Sequence, residues 1–341
     1  MRIPITATKI VAVGATLLLA GATLTGCAQG QSASGASNDT IRYQGYQGSV
    51  NLPELAKALG DLNGVKLKYV GTVQGGPQSI QALVSNQVDY GAAFNGAIAQ
   101  IASTGAPIKS VISYYGSNGP VNSALLVKDD TKITSAKDLI GKKVAVNTLG
   151  ANAEAVLDTY LTKGGLTQDE IKKVTLVPLP GINEEAALRE GKVEAAYLFG
   201  ALKDSALSRP GLRTLVTDTD LVGPYNGGSI VMTDRFIKQN PALTKKFVTG
   251  LAKAIAYTES HTPDQVRTTL QGWLTKQGRP DDAKALTLWK GTGVATHAGL
   301  IRDVDFDLWL TWLKSRGDVK ANAIKASDIY TNEFNPYAKE G

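Results

Sequence analysis

Apolar and polar positions alternate along this chain in a way that predicts short strands and helices following one another in pairs. Ile41 and Tyr43 mark a first strand that ends in the turn at Gly45-Tyr46, and Leu52, Leu55, Ala56 and Leu59 recur behind it at helical spacing. Residues 65–70 alternate with period two and read as the next strand. Gly76-Pro77 then opens a helix with apolar residues at Ile80, Leu83, Val84 and Val88, followed by a short buried strand ending at Phe94-Asn95. Ala97, Ile98, Ile101 and Ala102 predict another helix, and residues 108–115 another strand.

After the apolar segment 124–127 the pattern restarts. Residues 144–147 read as a strand, 148–152 as a small-residue turn, and Ala155, Val156, Leu157, Tyr160 and Leu161 as a helix closed by Gly164-Gly165. Strands are expected at 174–177 and 214–216, and a second apolar crossing at 228–232. Beyond it the chain reads as mainly helical, over 236–240 and 242–260 with Pro241 at a helix start. Strands alternating with helices favour parallel pairing in doubly wound sheets. Trp273, Trp289, Phe306, Trp309, Trp312 and Leu313 fall at helical spacings and are read as packing residues.

One turn-helix-strand unit occurs twice. Residues 76–94 and 181–199 share a layout that matches Gly76 with Gly181, Leu83 with Leu188, Val88 with Val193, Asp89 with Glu194 and Phe94 with Phe199. Two copies predict two similar lobes. The matched Leu and Val positions read as core, whereas the differing pairs Gln78/Asn183 and Asn95/Gly200 read as positions that choose a ligand.

The N-terminus changes the setting. Arg2 and Lys9 precede an apolar run over 10–22 that is shorter than the ~20 residues a spanning helix needs, the order of a secretory signal. Leu24-Thr25-Gly26-Cys27 resembles the bacterial lipobox, which makes Cys27 a lipidation site and 1–26 a signal peptide. Cys27 is the single cysteine, so no internal disulfide or multi-thiolate metal site is expected. Residues 27–40, rich in Gly, Ala, Ser, Gln and Asn, read as a flexible linker to a membrane surface. With 43% hydrophobic residues the chain has material for two globular lobes. The formal charge is +6, and +4 without Arg2 and Lys9; with no Lys/Arg cluster, a nucleic-acid partner is not expected.

Ligands of open α/β sheets sit at strand carboxyl ends, where turns lead into helix N-termini whose free N–H groups favour anions. That rule selects Tyr46, Gln47, Gly75, Gly76, Pro77, Gln78, Phe94, Asn95 and Tyr115 in the first lobe. In the second it selects Asn147, Thr148, Gly150, Ala151, Asn152, Asn183, Tyr197, Phe199, Tyr225 and Asn226. The tyrosines suit an amphipathic wall and the asparagines suit orientation of a polar group. No arginine occurs between Arg42 and Arg189, so an anion would rest on backbone N–H groups and neutral side chains, with Lys203 or Arg213 as the cations in reach.

Catalytic arrangements are thin. His261 and His297 show no metal-ligand spacing, and neither a GxSxG elbow nor a Ser-x-x-Lys pair is present. Glu184, Glu185, Asp218 and Asp220 read as helix-dipole partners and turn residues. The expectation is a protein that is not an enzyme and carries no cofactor or metal.

The lipobox, the duplicated unit, the run Asp138-Leu139-Ile140-Gly141-Lys142-Lys143-Val144-Ala145-Val146 and the segment Tyr330-Thr331-Asn332-Glu333-Phe334 together resemble the solute-binding proteins of ABC importers. The likeness is to the nitrate, taurine and aliphatic-sulfonate branch, over residue 40 to the C-terminus. It implies an α/β, two-lobed periplasmic-binding-protein-like fold of type 2, each lobe a mixed or doubly wound sheet with flanking helices, with lobe 1 over 41–123, lobe 2 over 124–229 and lobe 1 completed by 230–341. It also implies hinge strands at 123–127 and 228–232, a monomer, a small-molecule solute, a membrane permease as partner and an extracytoplasmic, lipid-anchored location. Many relatives carry a Trp-Asp-Pro-like segment where this chain has Tyr197-Leu198-Phe199-Gly200-Ala201, which leaves room for a bulkier or heteroaromatic solute. A sensing lipoprotein is the alternative output; an enzyme resembling the thiamine-pyrimidine synthase is disfavoured because that relative employs clustered cysteines.

Overall fold

The computed structural model describes residues 39–46, 50–73, 75–320 and 322–339. The signal-like segment, Cys27, most of the linker and Gln47 lie outside them.

The chain runs β1 (Thr40–Tyr46), α1 (Leu52–Ala58), β2 (Lys66–Val73), α2 (Gly76–Val84), β3 (Gly91–Phe94), α3 (Asn95–Ser103) and β4 (Ile108–Ser117). A first crossing, β5 (Ser123–Lys128), leads to β6 (Lys143–Val146), α4 (Asn152–Lys163), α5 (Gln168–Ile171), β7 (Thr175–Pro178), α6 (Gly181–Arg189), β8 (Ala195–Phe199), α7 (Gly200–Leu207), β9 (Leu212–Thr217) and α8 (Asp218–Val222). The return crossing is β10 (Tyr225–Thr233). Helices follow: α9 (Asp234–Gln239), α10 (Pro241–Ser260), α11 (Pro263–Lys276), α12 (Pro280–Ala285), α13 (Val304–Arg316) and α14 (Ala326–Ile329). Proline stands in the first turn of α1, α2, α10, α11 and α12, where its missing N–H costs no helical bond.

The second lobe holds one five-stranded sheet in the order β7-β6-β8-β5-β9, and the first holds β1-β2 beside β3-β10-β4. β6 pairs in parallel with β7 and β8, and β1 with β2, while β5 and β10 run antiparallel to both neighbours. Each lobe therefore takes its antiparallel strand from chain arriving from the other. The five-stranded sheet is mixed and β3-β10-β4 is antiparallel because a strand that crosses between lobes enters from the opposite direction, which the local pattern of apolar residues does not encode.

The Asp89/Glu194 match has a structural reason. Arg42 N donates to Asp89 Oδ2 at 2.7 Å and Asp89 N to Arg42 O at 3.0 Å, joining β1 to the segment that enters β3. In the second lobe Lys143 N donates to Glu194 Oε2 at 2.8 Å and Glu194 N to Lys143 O at 2.9 Å, joining β6 to the entry of β8. Each acid tethers its strand entry to an earlier strand of its lobe.

The largest apolar cluster runs from Phe94 and Ile98 through Phe306, Trp309 and Leu313 of α13 to Val146, Val156 and Tyr197 of the second lobe. Across its far end, Trp312 Nε1 donates to Asp158 Oδ2 at 3.0 Å, and Arg316 pairs with Glu154 and Asp158 of α4. So α13 packs under both lobes. Trp309 and Trp312 are buried there and Trp273 lies on α11, as their spacing predicts, but Trp289 does not lie on a helix.

Candidate ligand-binding cleft

Strand ends and helix starts from both lobes face a cavity of about 330 Å³. The first lobe contributes Tyr46, Val73, Gly75, Gly76, Pro77, Ala93 and Phe94 from the ends of β1, β2 and β3 and the start of α2, together with Tyr114 and Tyr115 of β4. The second contributes Asn147, Thr148, Ala151 and Asn152 before and on α4, Pro180-Gly181-Ile182 at α6, and Phe199 to Leu202 at α7. Val121, Asn122 and Ser123 line it where the first crossing begins.

Of the residues selected from sequence, Tyr46, Gly75, Gly76, Pro77, Phe94, Tyr115, Asn147, Thr148, Ala151, Asn152 and Phe199 line this cavity. Gln78, Asn95, Gly150, Asn183, Tyr197, Tyr225 and Asn226 do not. Gln78 and Asn183 are exposed on their helices outside it, so of the differing repeat positions only Gly200 faces the cavity. Gly150 N donates to Glu154 Oε2 at 2.8 Å, which places that glycine in the turn before α4.

Asn95 and Asn226 are corrected most clearly, because both are wholly buried. Asn95 Nδ2 donates to Asn226 O and Asp305 O, both at 3.1 Å, and its Oδ1 accepts from Ser229 Oγ at 2.7 Å. Asn226 Nδ2 donates to Asp305 Oδ2 at 2.8 Å and its Oδ1 accepts from Ala295 N at 2.8 Å. Their amides are consumed in tying β10 to α3 and to the start of α13. Lys203 is also buried, with Nζ against Asn122 Oδ1, and the Arg213 guanidinium donates to Ile133 O; neither lines the cavity.

Tyr197 and Tyr225 stand directly behind the wall. The Tyr197 hydroxyl donates to Asn152 Oδ1 at 3.3 Å, Asn152 Nδ2 donates to the Tyr225 oxygen at 3.1 Å, and Tyr225 donates to Asp218 Oδ2 at 3.1 Å. Asp218, expected as a turn residue, is completely buried. It also accepts from Ser117 Oγ, Ser123 N and Thr219 N. Burial pushes its carboxyl up, opposed by those hydrogen bonds. Burial raises the phenols of Tyr114, Tyr115, Tyr197 and Tyr225 as well, and that of Tyr46 to about 12, so all stay neutral donors at physiological pH.

Trp289, Asn122 and Ser123 were missed by sequence reasoning. Trp289 follows α12, far along the chain from the other wall residues, and no strand-to-helix turn announces it. A signal for Asn122-Ser123 existed in their place just ahead of the first crossing.

The lining carries six aromatic residues, Tyr46, Phe94, Tyr114, Tyr115, Trp289 and Phe199, and among the described residues no Asp, Glu, His, Lys, Arg or Cys. Its polarity comes from neutral side chains and helix starts. None of α2, α4, α6 and α7, which open on the cavity, has a side-chain cap, a feature they share with α1, α10, α12 and α13 elsewhere, while α5, α8, α9 and α11 are capped by Thr167, Thr217, Thr233 and Thr262. The four uncapped starts at the cavity turn their N–H dipoles toward it. Two glycines admit this geometry. A Cβ at Gly228 of β10 would collide with the Tyr115 ring that lies over it, and one at Gly75 would stand 2.6 Å from Thr148 Oγ1 of the facing lobe.

Two lobes that each pair an antiparallel crossing strand with their own strands, meeting over a cleft at their strand ends, define a two-lobed periplasmic-binding-protein-like fold. A family model described as NMT1/THI5 like matches residues 61–265, and the chain belongs to the NMT1/THI5-like family. It is 29% identical over 188 residues, 54% of this chain and 56% of the relative, to a protein of Escherichia coli (strain K12) that carries the name aliphatic sulfonates-binding protein. It is 24% identical over 242 residues, 68% of this chain and 66% of the relative, to the riboflavin-binding protein RibY of Chloroflexus aurantiacus (strain ATCC 29366 / DSM 635 / J-10-fl). The matched stretches thus span less than two thirds of either relative's length. The solved alkanesulfonate-binding protein SsuA from Xanthomonas axonopodis pv. citri shares the fold with a TM-score of 0.65 at 20% identity, over 87% of this chain and 99% of that one. The resemblance and fold class expected from the sequence are borne out at this level.

Proposed function

We propose that this chain is the extracytoplasmic solute-binding component of an ABC importer, lipid-anchored through Cys27, which captures a small organic solute between its lobes as a monomer and hands it to a membrane permease. The observation that carries the reading is the cleft: an aromatic-lined cavity, without charged side chains among the described residues, at the strand ends of two lobes and bordered by four uncapped helix starts. Such a site offers N–H donors to acceptor atoms and flat apolar faces to a ring or chain. A sulfonate or nitrate-type anion and an oxo-bearing heteroaromatic ring share that acceptor chemistry, and the six aromatic side chains favour the ring. Binding without turnover fits a lining that offers no acid, base or thiol among the described residues. Capture shifts the lobes toward a closed form by differential contact, with β5 and β10 as the strands that connect them.

A thermal-shift panel of hexanesulfonate, nitrate and riboflavin tests this reading. A true ligand at 100 times its dissociation constant stabilises by about 2.7 kcal/mol, and X-ray scattering should show compaction. No stabilisation by any of the three counts against capture of this chemistry, and conversion of a bound compound by the purified chain overturns the non-enzymatic assignment.

A further inference from the structure

We propose that Asp218 is a positioning residue that, through Tyr225, sets the amide of Asn152 in a single orientation, so that Asn152 meets a hydrogen-bond acceptor of the solute with its remaining N–H. The inference rests on the solute-capture reading and assigns a polarity to one point of the cleft. A carboxylate only accepts, so the Tyr225 hydrogen is spent on Asp218, and the Tyr225 oxygen is left to accept from Asn152 Nδ2. On the other side of the amide the Tyr197 hydroxyl, which can serve as donor or acceptor, donates to Asn152 Oδ1 and so follows the orientation that Tyr225 sets. The flipped amide would set its oxygen against the Tyr225 oxygen, acceptor against acceptor, because the Tyr225 hydrogen is committed to Asp218.

Asp218 itself is held by donors that cannot reverse. Main-chain N–H groups of Ser123 and Thr219 donate to its Oδ1 at 3.1 and 2.8 Å. Its partners Ser117, Ser123 and Tyr225 are the last residue of β4 and the first residues of the two crossing strands. Asn152 is 3% exposed yet lines the cavity, so what it has left to offer is offered there. The chemistry it selects is an oxo, carbonyl or ring-nitrogen acceptor.

The test has one arm without ligand and one with the same three-compound panel. In protein labelled with 15N-asparagine, the Asn152 side-chain pair is assigned by its loss in Asn152→Asp. One of its two hydrogens should exchange with solvent at least about tenfold more slowly than the other, the span of one hydrogen bond. Tyr225→Phe should erase that difference, and so should Asp218→Asn where it folds; equal exchange in the parent chain, or an unchanged pattern in Tyr225→Phe, overturns the positioning role. For the panel compound that binds, Tyr225→Phe should weaken affinity about tenfold and Asn152→Asp more. A lowered melting temperature with unchanged affinity in both variants makes the relay merely structural and overturns the proposal. If no panel compound binds, it is the capture reading that fails, and the exchange arm alone upholds or overturns Asp218.

Discussion

The two copies of the turn-helix-strand unit share a layout, and one of the buried positions at which they differ is polar in both. In the first lobe Ser79 of α2 accepts from Ala92 N at 2.9 Å, so a small polar group is satisfied against β3. In the second lobe the matching position is Glu184 of α6, wholly buried, with neither carboxylate oxygen hydrogen-bonded. Burial pushes its carboxyl up to about 9, which makes it a neutral acid at physiological pH. By contrast the acids at the strand entries, Asp89 and Glu194, do the same work in both lobes. The two acids at the strand entries keep their backbone bonds in both copies, whereas the backbone bond that Ser79 makes is lost where Glu184 stands.

The largest effect should come from unequal burial of the two tethers. Asp89 is 4% exposed and forms an ion pair with Arg42 at 2.7 Å, whereas the Glu194 bond to Lys143 N lies at the surface. Asp89→Ala should cost about 3 kcal/mol, because it leaves a partly buried guanidinium unpaired, and Glu194→Ala under about 1 kcal/mol. Chemical denaturation of both variants measures the ratio, and equal losses would break the comparison.

Next comes the buried acid. Free Glu titrates near 4.5 and folded Glu184 near 9, so between those values the folded state holds a proton that the unfolded state has released. Its contribution is full below pH 4.5 and is lost as pH rises toward 9. Glu184→Ser, which copies the first lobe, should gain about 2 kcal/mol at pH 8 and little at pH 4. A stability curve whose pH slope over that window matches the parent's would show that Glu184 has a partner in solution.

The smallest effect on stability separates the two helix starts. Gly75 approaches Thr148 across the cleft, whereas a Cβ at Gly181 meets only the movable end of Leu202 at 3.2 Å. Gly75→Ala should lower ligand affinity about tenfold while moving stability by under ~0.5 kcal/mol, and Gly181→Ala should leave affinity within about twofold. Isothermal titration of both variants with whichever panel compound binds decides it; matched affinities would show that the lips need not touch.

Much of the fold was legible. Element order, the restart after the first crossing and the duplication follow from local spacing of Leu, Val and Ile and from glycine turns, which act over a few residues. The candidate wall was half legible. The rule that ligands meet strand ends found Tyr46, Phe94, Thr148 and Asn152, but it treated Asn95 like Asn147 because both follow a strand end. The difference lies in partners far along the chain: Asn226 O and Asp305 O, 131 and 210 residues away, consume the Asn95 amide.

By itself, then, the amino-acid sequence determined the alternation of strands and helices, its restart after the first crossing and the family resemblance, because periodicity and turn chemistry are local properties of the chain. Only the tertiary structure decided that the crossing strands run antiparallel, that Trp289 returns to the cleft, and that Asp218 stands behind Asn152. Those outcomes depend on which groups burial brings within hydrogen-bond reach, and a buried polar group must find a partner wherever in the chain one lies.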